Sequence, residues 1–301
     1  MAEFTLKQLE YFVAAVQAGS LAGAARRCHV SHAGIAHGLN ELERACGTPL
    51  LVRRKAKGVV PTALGHAMLP LARNILRDAA GVELLLQSNP GELFGELSVG
   101  CTLALSPALL PAIASGFAEL HPKVELIFRE ASGGEVLQLV RDGQVDAGLA
   151  FRRQVPPDLE YVSLRPIRVK AALPRSHPLA SRPSISLREL RDEHAITPDG
   201  PALEAMLAVM REAGVEPRIR WTLSSPETIR AMVARGFGYS LLYVFPEESR
   251  HDDSPVVAVP VQDQLPGNAL VQVLPPLRRH VAKVDKLAEF LRGDVVGELI
   301  G

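Results

Sequence analysis

The sequence predicts an α/β protein with an all-α head: a small helical module with a two-stranded wing, a long connecting helix, and a two-lobed α/β body. Three patterns predict this. Three short amphipathic helices crowd into about the first 45 residues, one long apolar repeat follows, and from residue 92 onward apolar strand-like runs alternate with helical ones. With 301 residues, 47% of them hydrophobic, the chain can bury a sizeable core and more than one domain, which excludes a disordered or fibrous protein.

In the head, Leu6, Leu9, Phe12, Val13 and Val16 recur at steps of three and four, forming one helical face that Gly19 ends. Ser20 is a good N-cap for a second helix, LAGAARRC, whose Ala22, Gly23, Ala24 and Ala25 permit close packing. His29 and Val30 form a turn. Ser31 then caps a third helix to about Ala45, with Ile35, Leu39 and Leu42 facing inward and Gly47 placed to stop it. Such a spacing describes a helix-turn-helix. At 100° per residue, Ala33, His37, Asn40 and Arg44 fall opposite the apolar side, and His32 projects from the first turn, where a recognition helix meets base edges.

Beyond Pro49, LLVRRKAKGVVPT reads as a two-stranded wing whose tip carries Arg53, Arg54, Lys55 and Lys57, suited to DNA phosphates. Net charge is zero, yet residues 1–60 carry eight basic and four acidic side chains, a basic head on a slightly acidic remainder. From Thr62 to about Ser88, Leu64, Met68, Leu71, Ile75, Val82 and Leu85 form an apolar stripe with nothing in its own module to cover it, so pairing with a second copy is expected. The stretch SNPGELFGE suits a hinge.

The body begins with ELSVGC, a Ser106-capped helix beginning at Pro107, VELIFRE, a helix from about Gly134 to Asp142, and VDAGLAF, a βαβαβ series expected to form a parallel sheet covered on both faces. A crossover near Leu164 to Arg168 leads to a second series: IRVKAALP, AITP, ALEAMLAVMREAG, RIRWTLS, ETIRAMVARG and YSLLYV. Two such lobes leave a cleft between them, facing strand C-termini and helix N-termini. A terminal helix, about His280 to Arg292, is expected to pack back on the first lobe.

These residues resemble the LysR-type transcriptional regulators. The likeness lies in LKQLEYFVAAVQAGSLAGAARRCHVS, in LNELERACGTPLLVRR, in the TALG that opens the linker, and in the two-lobed order downstream. It implies a winged helix-turn-helix over 1–62, a linker and dimerisation helix over 63–89, and a periplasmic-binding-protein-like effector domain over 90–301, with lobe I at about 92–164 and 267–301 and lobe II at about 165–266. It also implies a homodimer or homotetramer that binds double-stranded promoter or operator DNA and a small-molecule effector, with RNA polymerase as a further partner. The DNA-binding candidates are then Ser20, Ser31, His32, Ala33, His37, Asn40, Arg53, Arg54, Lys55 and Lys57.

The chain departs from the family pattern in the recognition helix. His32 stands where Gln is common, Ala36 and His37 where Ser and Arg are common, and Leu51 replaces a usual Phe; Gly34 and Gly38 each lower helix propensity by about 1 kcal/mol relative to Ala. Protonated His32 and His37 would each donate two hydrogen bonds and tighten DNA binding as pH falls. Both staying neutral toward solvent is equally compatible with the sequence.

Effector-binding candidates are Thr102, Leu103, Ser132, Phe151, Arg152, Thr197, Ser224 and Ser225, the hydroxyls, apolar groups and one cation at strand ends and helix starts. Together they match the places where the family puts its inducer contacts, and Arg152 is expected to pair with an effector carboxylate, Phe151 to give apolar contact, so the effector is expected to be anionic or aromatic. Cys28, Cys46 and Cys101 form no CxxC, so neither a disulfide framework nor a zinc ribbon is expected, and a peroxide switch at Cys101 has no second cysteine in the body to resolve it.

No metal, cofactor or catalytic residue is expected. There is no GxSxG, HExxH or GxxxxGK[ST], and the glycines Gly236 and Gly238 follow a helix and precede a strand, the reverse of dinucleotide-binding order. The absence of a long apolar run or a signal-peptide pattern at the start predicts a cytoplasmic protein away from membranes. The alternative is a small-molecule binding protein or enzyme whose helical head only mediates oligomerisation.

Overall fold

The computed structural model describes residues 4–54, 58–85, 92–243, 254–265, 267–276 and 282–293. The head contains α1 (Leu6–Ala18), α2 (Leu21–Arg27) and α3 (His32–Cys46), followed by β1 (Leu51–Arg54) and β2 (Gly58–Pro61). Each helix starts where a hydroxyl takes over an orphan backbone donor: Thr5 in a capping box with Gln8, Ser20 accepting from Gly23 N, and Ser31 accepting from Gly34 N. Gly19 and Gly47 close α1 and α3 in the left-handed conformation. Leu9, Phe12, Ile35, Leu39, Leu42 and Leu50 fill a shared core.

Strands β1 and β2 pair antiparallel, Leu51 opposite Pro61 and Arg54 opposite Gly58. The wing is tied to the helices at both ends. Glu43 Oε1 accepts from Leu50 N and Leu51 N at 2.8 and 3.0 Å, and Val59 N donates to Gly19 O at 2.8 Å. Gly58 has φ +77°, and a Cβ there would lie 2.2 Å from Gly19 O, so this crossing admits no side chain.

Helix α4 (Ala63–Leu85) starts at Thr62, whose hydroxyl accepts from Gly65 N. One side of it, with Leu69, Ala72 and Leu76, packs on the head core, while Leu64, Leu71, Ile75 and Val82 are exposed. The side chain of Leu85 lies outside the described residues, as do residues 88–91 of the expected hinge; its last two residues, Gly95 and Glu96, already belong to a strand. Arg77 fastens α4 to the body: it donates to Asp146 Oδ1 at 2.8 Å and to Gly143 O at 3.1 Å. Asp146, 2% exposed, also accepts from the backbone and hydroxyl of Ser98, each at 2.8 Å.

The first lobe holds β3 (Gly95–Thr102), α5 (Ser106–Ala112) continuing through a π-helical turn (Ile113–Phe117) into α6 (Ala118–Leu120), β4 (Val124–Ala131), α7 (Gly133–Arg141), β5 (Ala147–Phe151) and β6 (Glu160–Ile167). The second holds β7 (Lys170–Pro174), β8 (His194–Pro198), α8 (Gly200–Glu212), β9 (Arg218–Leu223), α9 (Pro226–Ala234), β10 (Ser240–Leu242) and β11 (Val256–Pro260). The chain then returns to the first lobe with β12 (Asn268–Leu274) and α10 (Ala282–Arg292). Val284, Leu287, Ala288 and Leu291 of α10 are buried there beside Leu97, Leu105 and Phe117.

The sheet of the first lobe runs β4-β3-β5-β12-β6 and is mixed, not all-parallel as the alternation of elements suggests. Strands β4 and β5 flank β3 in parallel, but β12 enters on the return from the second lobe and pairs antiparallel with both β5 and β6. Strand β6 continues to Ile167 in this sheet, three residues beyond the expected lobe boundary at 164. In the second lobe, β10 and β11 flank β7 antiparallel, and the parallel pair β8-β9 joins them through the Ala195–Tyr239 bridge.

Candidate functional site

Two surfaces hold the sequence candidates. On α3, Ile35, Gly38, Leu39 and Leu42 are buried, while Ser31, His32, Ala33, His37, Asn40 and Arg44 are exposed. The outer face of this helix is therefore free of its own subunit. Ser20 and Ser31 act locally as caps, and Ser20 is half-buried. Gly38 has a packing reason that propensity alone does not supply: a Cβ there would meet Tyr11 Cδ2 at 2.6 Å, so α3 crosses α1 closely only because this position is bare. The backbone of Arg53 and Arg54 lies in β1; their side chains, and Lys55 and Lys57 entirely, fall outside the described residues.

Between the lobes lies a cavity of about 390 Å³. Of the effector candidates, Thr102, Leu103, Ser132, Phe151 and Ser224 line it. Three do not. Arg152 is exposed, in a short 3-10 turn that carries it off the end of β5. Thr197 is buried, its hydroxyl bonded to Trp221 O and the Thr222 hydroxyl, and Ser225 accepts from Thr228 N as the cap of α9. The cation in the cavity wall is Arg230, half-buried and ion-paired with the exposed carboxylate of Glu227.

Part of the wall comes from residues that strand ends and helix starts do not single out. Ile229 and Arg230 lie one turn inside α9, and Ala202, Met206 and Val209 recur along one face of α8. That spacing is the signal that would have found them. Val169, Leu241 and Tyr243 add apolar surface, and the Tyr243 ring lies 5.2 Å from that of Phe151. Burial pushes the Tyr243 phenol pKa up, so it stays a neutral donor. The Ser132 hydroxyl and backbone amide hold Glu135 below the usual carboxylate range and keep it ionised at the cavity rim. The Thr102 hydroxyl and Gln154 Oε1 are buried in this wall without a hydrogen-bond partner among the described residues.

Cys101, at the end of β3, is 0% exposed, and burial pushes its thiol up to about 12. Cys28 and Cys46 in the head are also shifted upward by burial. None of the three has the lowered pKa of a reactive thiol. Among the described residues there is no cluster of His, Cys, Asp and Glu able to hold a metal ion, and no helix long and apolar enough to cross a membrane.

Residues 6–66 match the family model for a bacterial regulatory helix-turn-helix protein of the lysR family, and residues 90–295 match the LysR substrate binding domain. The OxyR dual regulator of Escherichia coli is 28% identical over 97% of this chain and 96% of its own length. The uncharacterised regulator YnfL of the same species is 31% identical over 79% of this chain and 81% of its own. Among solved structures, a LysR family protein from Pseudomonas aeruginosa is 27% identical, covers 97% of this chain and 99% of its own, and has a TM-score of 0.62. A full-length OxyR variant from Pseudomonas aeruginosa shares the fold with a TM-score of 0.75 at 24% identity, over 96% of this chain and 98% of its own. With its DNA-reading head and its effector-binding domain both matched, the chain belongs to the LysR family of DNA-binding transcriptional regulators.

Proposed function

We propose that the protein is a sequence-specific regulator that lays α3 in the major groove of its operator and answers a small molecule held between the two lobes. The observation that carries the first half is the division of α3 into a buried apolar side and an exposed side with His32, Ala33, His37 and Asn40. Imidazole and carboxamide groups on such a face suit base edges, and the wing with Arg53, Arg54, Lys55 and Lys57 suits the flanking phosphates. A solved LysR relative, CbnR, is described in complex with its target DNA.

The cavity favours an effector with a substantial apolar body and one polar end. Phe151, Val169, Met206, Val209, Ile229 and Leu241 offer the apolar wall; Arg230, the Thr102 hydroxyl and Gln154 offer the polar one. Arg230 takes the role of carboxylate partner that the sequence assigns to Arg152. Several curated relatives are hydrogen peroxide-inducible activators, but peroxide chemistry at a thiol is disfavoured here by the burial of Cys101. Pairing through the exposed stripe on α4 makes the working unit a dimer or tetramer, acting in the cytoplasm beside RNA polymerase.

A salt titration of operator binding tests this reading. Log affinity for a promoter fragment should fall linearly with log salt, at about 0.9 per phosphate neutralised, and random duplex should bind more weakly throughout. Equal affinity for operator and random duplex at every salt concentration sinks it.

A further inference from the structure

A second cavity, of about 410 Å³, opens where the head, the connecting helix and the first lobe meet. Its wall takes Arg27 from the end of α2, His66 and Arg73 from α4, Arg129 from β4, and Asp142 and Gln144 from the turn between α7 and β5. Three guanidinium groups thus face a single carboxylate. That carboxylate is engaged by neutral amides: Asp142 Oδ1 accepts from Gln138 Nε2 at 2.9 Å, and Oδ2 from Gln144 Nε2 at 3.4 Å.

Arg73 is 8% exposed. Its Nη1 donates to the backbone carbonyl of Asp142 at 2.6 Å, and its buried Nε has no partner among the described residues. Burial pushes its pKa down; the Asp142 carboxylate opposes that shift, and the nearby charges of Arg77 and Arg129 add to it, so one carboxylate does not offset the clustered cations. Among the described residues neither Arg27 nor Arg129 forms an ion pair. Both are exposed, so an ion can reach them from solvent.

We propose that this cavity binds a small multivalent oxyanion of the phosphate type, separate from the interlobe effector. The guanidinium fork matches tetrahedral oxyanions, and a multivalent anion supplies the negative charge that one carboxylate leaves short of three arginines. Because the wall is drawn from α2, α4 and β4, the bound ion ties the reading head to the effector domain and fixes the angle between them.

Inorganic pyrophosphate, titrated calorimetrically into the full-length protein at constant ionic strength, is the test, with potassium chloride as the control. Saturable binding is expected for the wild type, weakened at least tenfold in Arg129→Gln and abolished in Arg27→Gln/Arg129→Gln. Both positions are exposed, so the unliganded thermal midpoint should stay close to wild type and report intact folding. Equal binding by the double variant overturns the proposal, as does a response to chloride of the same size. Competition in which operator duplex displaces pyrophosphate one for one would reassign the arginines to DNA backbone and equally overturn it.

Discussion

Gly38 shows how one position can oppose local propensity. In isolation, Gly38→Ala favours helix by about 1 kcal/mol. In the folded head the new methyl group lies 2.6 Å from the Tyr11 ring, so the ring or the helix must move, an overpacking cost of about 1–3 kcal/mol. A net fall in the thermal midpoint is expected for Gly38→Ala, and recovery in Tyr11→Ala/Gly38→Ala; a rise in the single variant would show that the crossing has slack. From the sequence alone this glycine is only a weakness in the third helix, because its partner, Tyr11, is 27 positions away and no spacing rule links them. Cys101 gives a second residue-scale prediction. Its folded pKa of about 12 lies above the ordinary 9, so the unfolded chain releases that proton first. Its stabilising contribution is whole below pH 9 and is lost as pH rises from 9 to 12. Native protein at pH 8 should leave Cys101 unlabelled by iodoacetamide, and urea-unfolded protein should label it; rapid native labelling would reopen the redox reading.

At the scale of elements, α4 has two apolar faces, and its own subunit covers one of them. Leu69, Ala72 and Leu76 are taken by the head, whereas Leu64, Leu71, Ile75 and Val82, 40–59% exposed, are left with heptad-like spacing of seven, four and seven. Replacing Leu71 and Ile75 by Glu should dissociate the assembly to monomer in sedimentation velocity and weaken operator binding with it, while the far-ultraviolet spectrum is retained. Arg77 makes a different point about the same helix. Removing it leaves Asp146, 2% exposed, without its cation, a loss of about 3–5 kcal/mol. In a double-mutant cycle, Arg77→Met should cost far more than Arg77→Met/Asp146→Asn adds to Asp146→Asn; additivity would show that the pair is idle. Head helices, caps, wing and α4 were readable because each carries its own short-range period and cap. The mixed sheet was not. The run of β12, NALVQVL, looks like any apolar strand, and its antiparallel direction is set by where the chain has been, which periodicity does not encode.

Across the whole molecule, the cleft is shared by parts of the chain that lie far apart in sequence, Thr102 and Phe151 on one lobe, Met206, Ile229 and Arg230 on the other. On the first lobe Ser132 was legible because its capping box with Glu135 follows a short motif; the expected Ser106 cap does not form, since α5 already begins at Ser106 and Leu105 before it has no side chain able to cap. The second lobe contributes through helix faces whose inward side is known only once the two lobes are placed. A ligand touching both lobes favours the closed geometry by its differential affinity for that geometry, and by nothing else. At 100 times its Kd it stabilises the protein by about 2.7 kcal/mol, enough to read as a thermal shift. Arg230 separates the two chemistries that the apolar wall would accept. Arg230→Met keeps the length of the side chain and removes the charge, so binding of an aromatic carboxylate should weaken by about 1.5–3 kcal/mol, the worth of a charge-assisted hydrogen bond. The neutral amide of the same compound should bind the variant as well as it binds the wild type. Were both compounds to lose affinity equally, Arg230 would be acting through its pairing with Glu227 and the shape of α9, and the polar end of the effector would have to be sought at Thr102 and Gln154 instead.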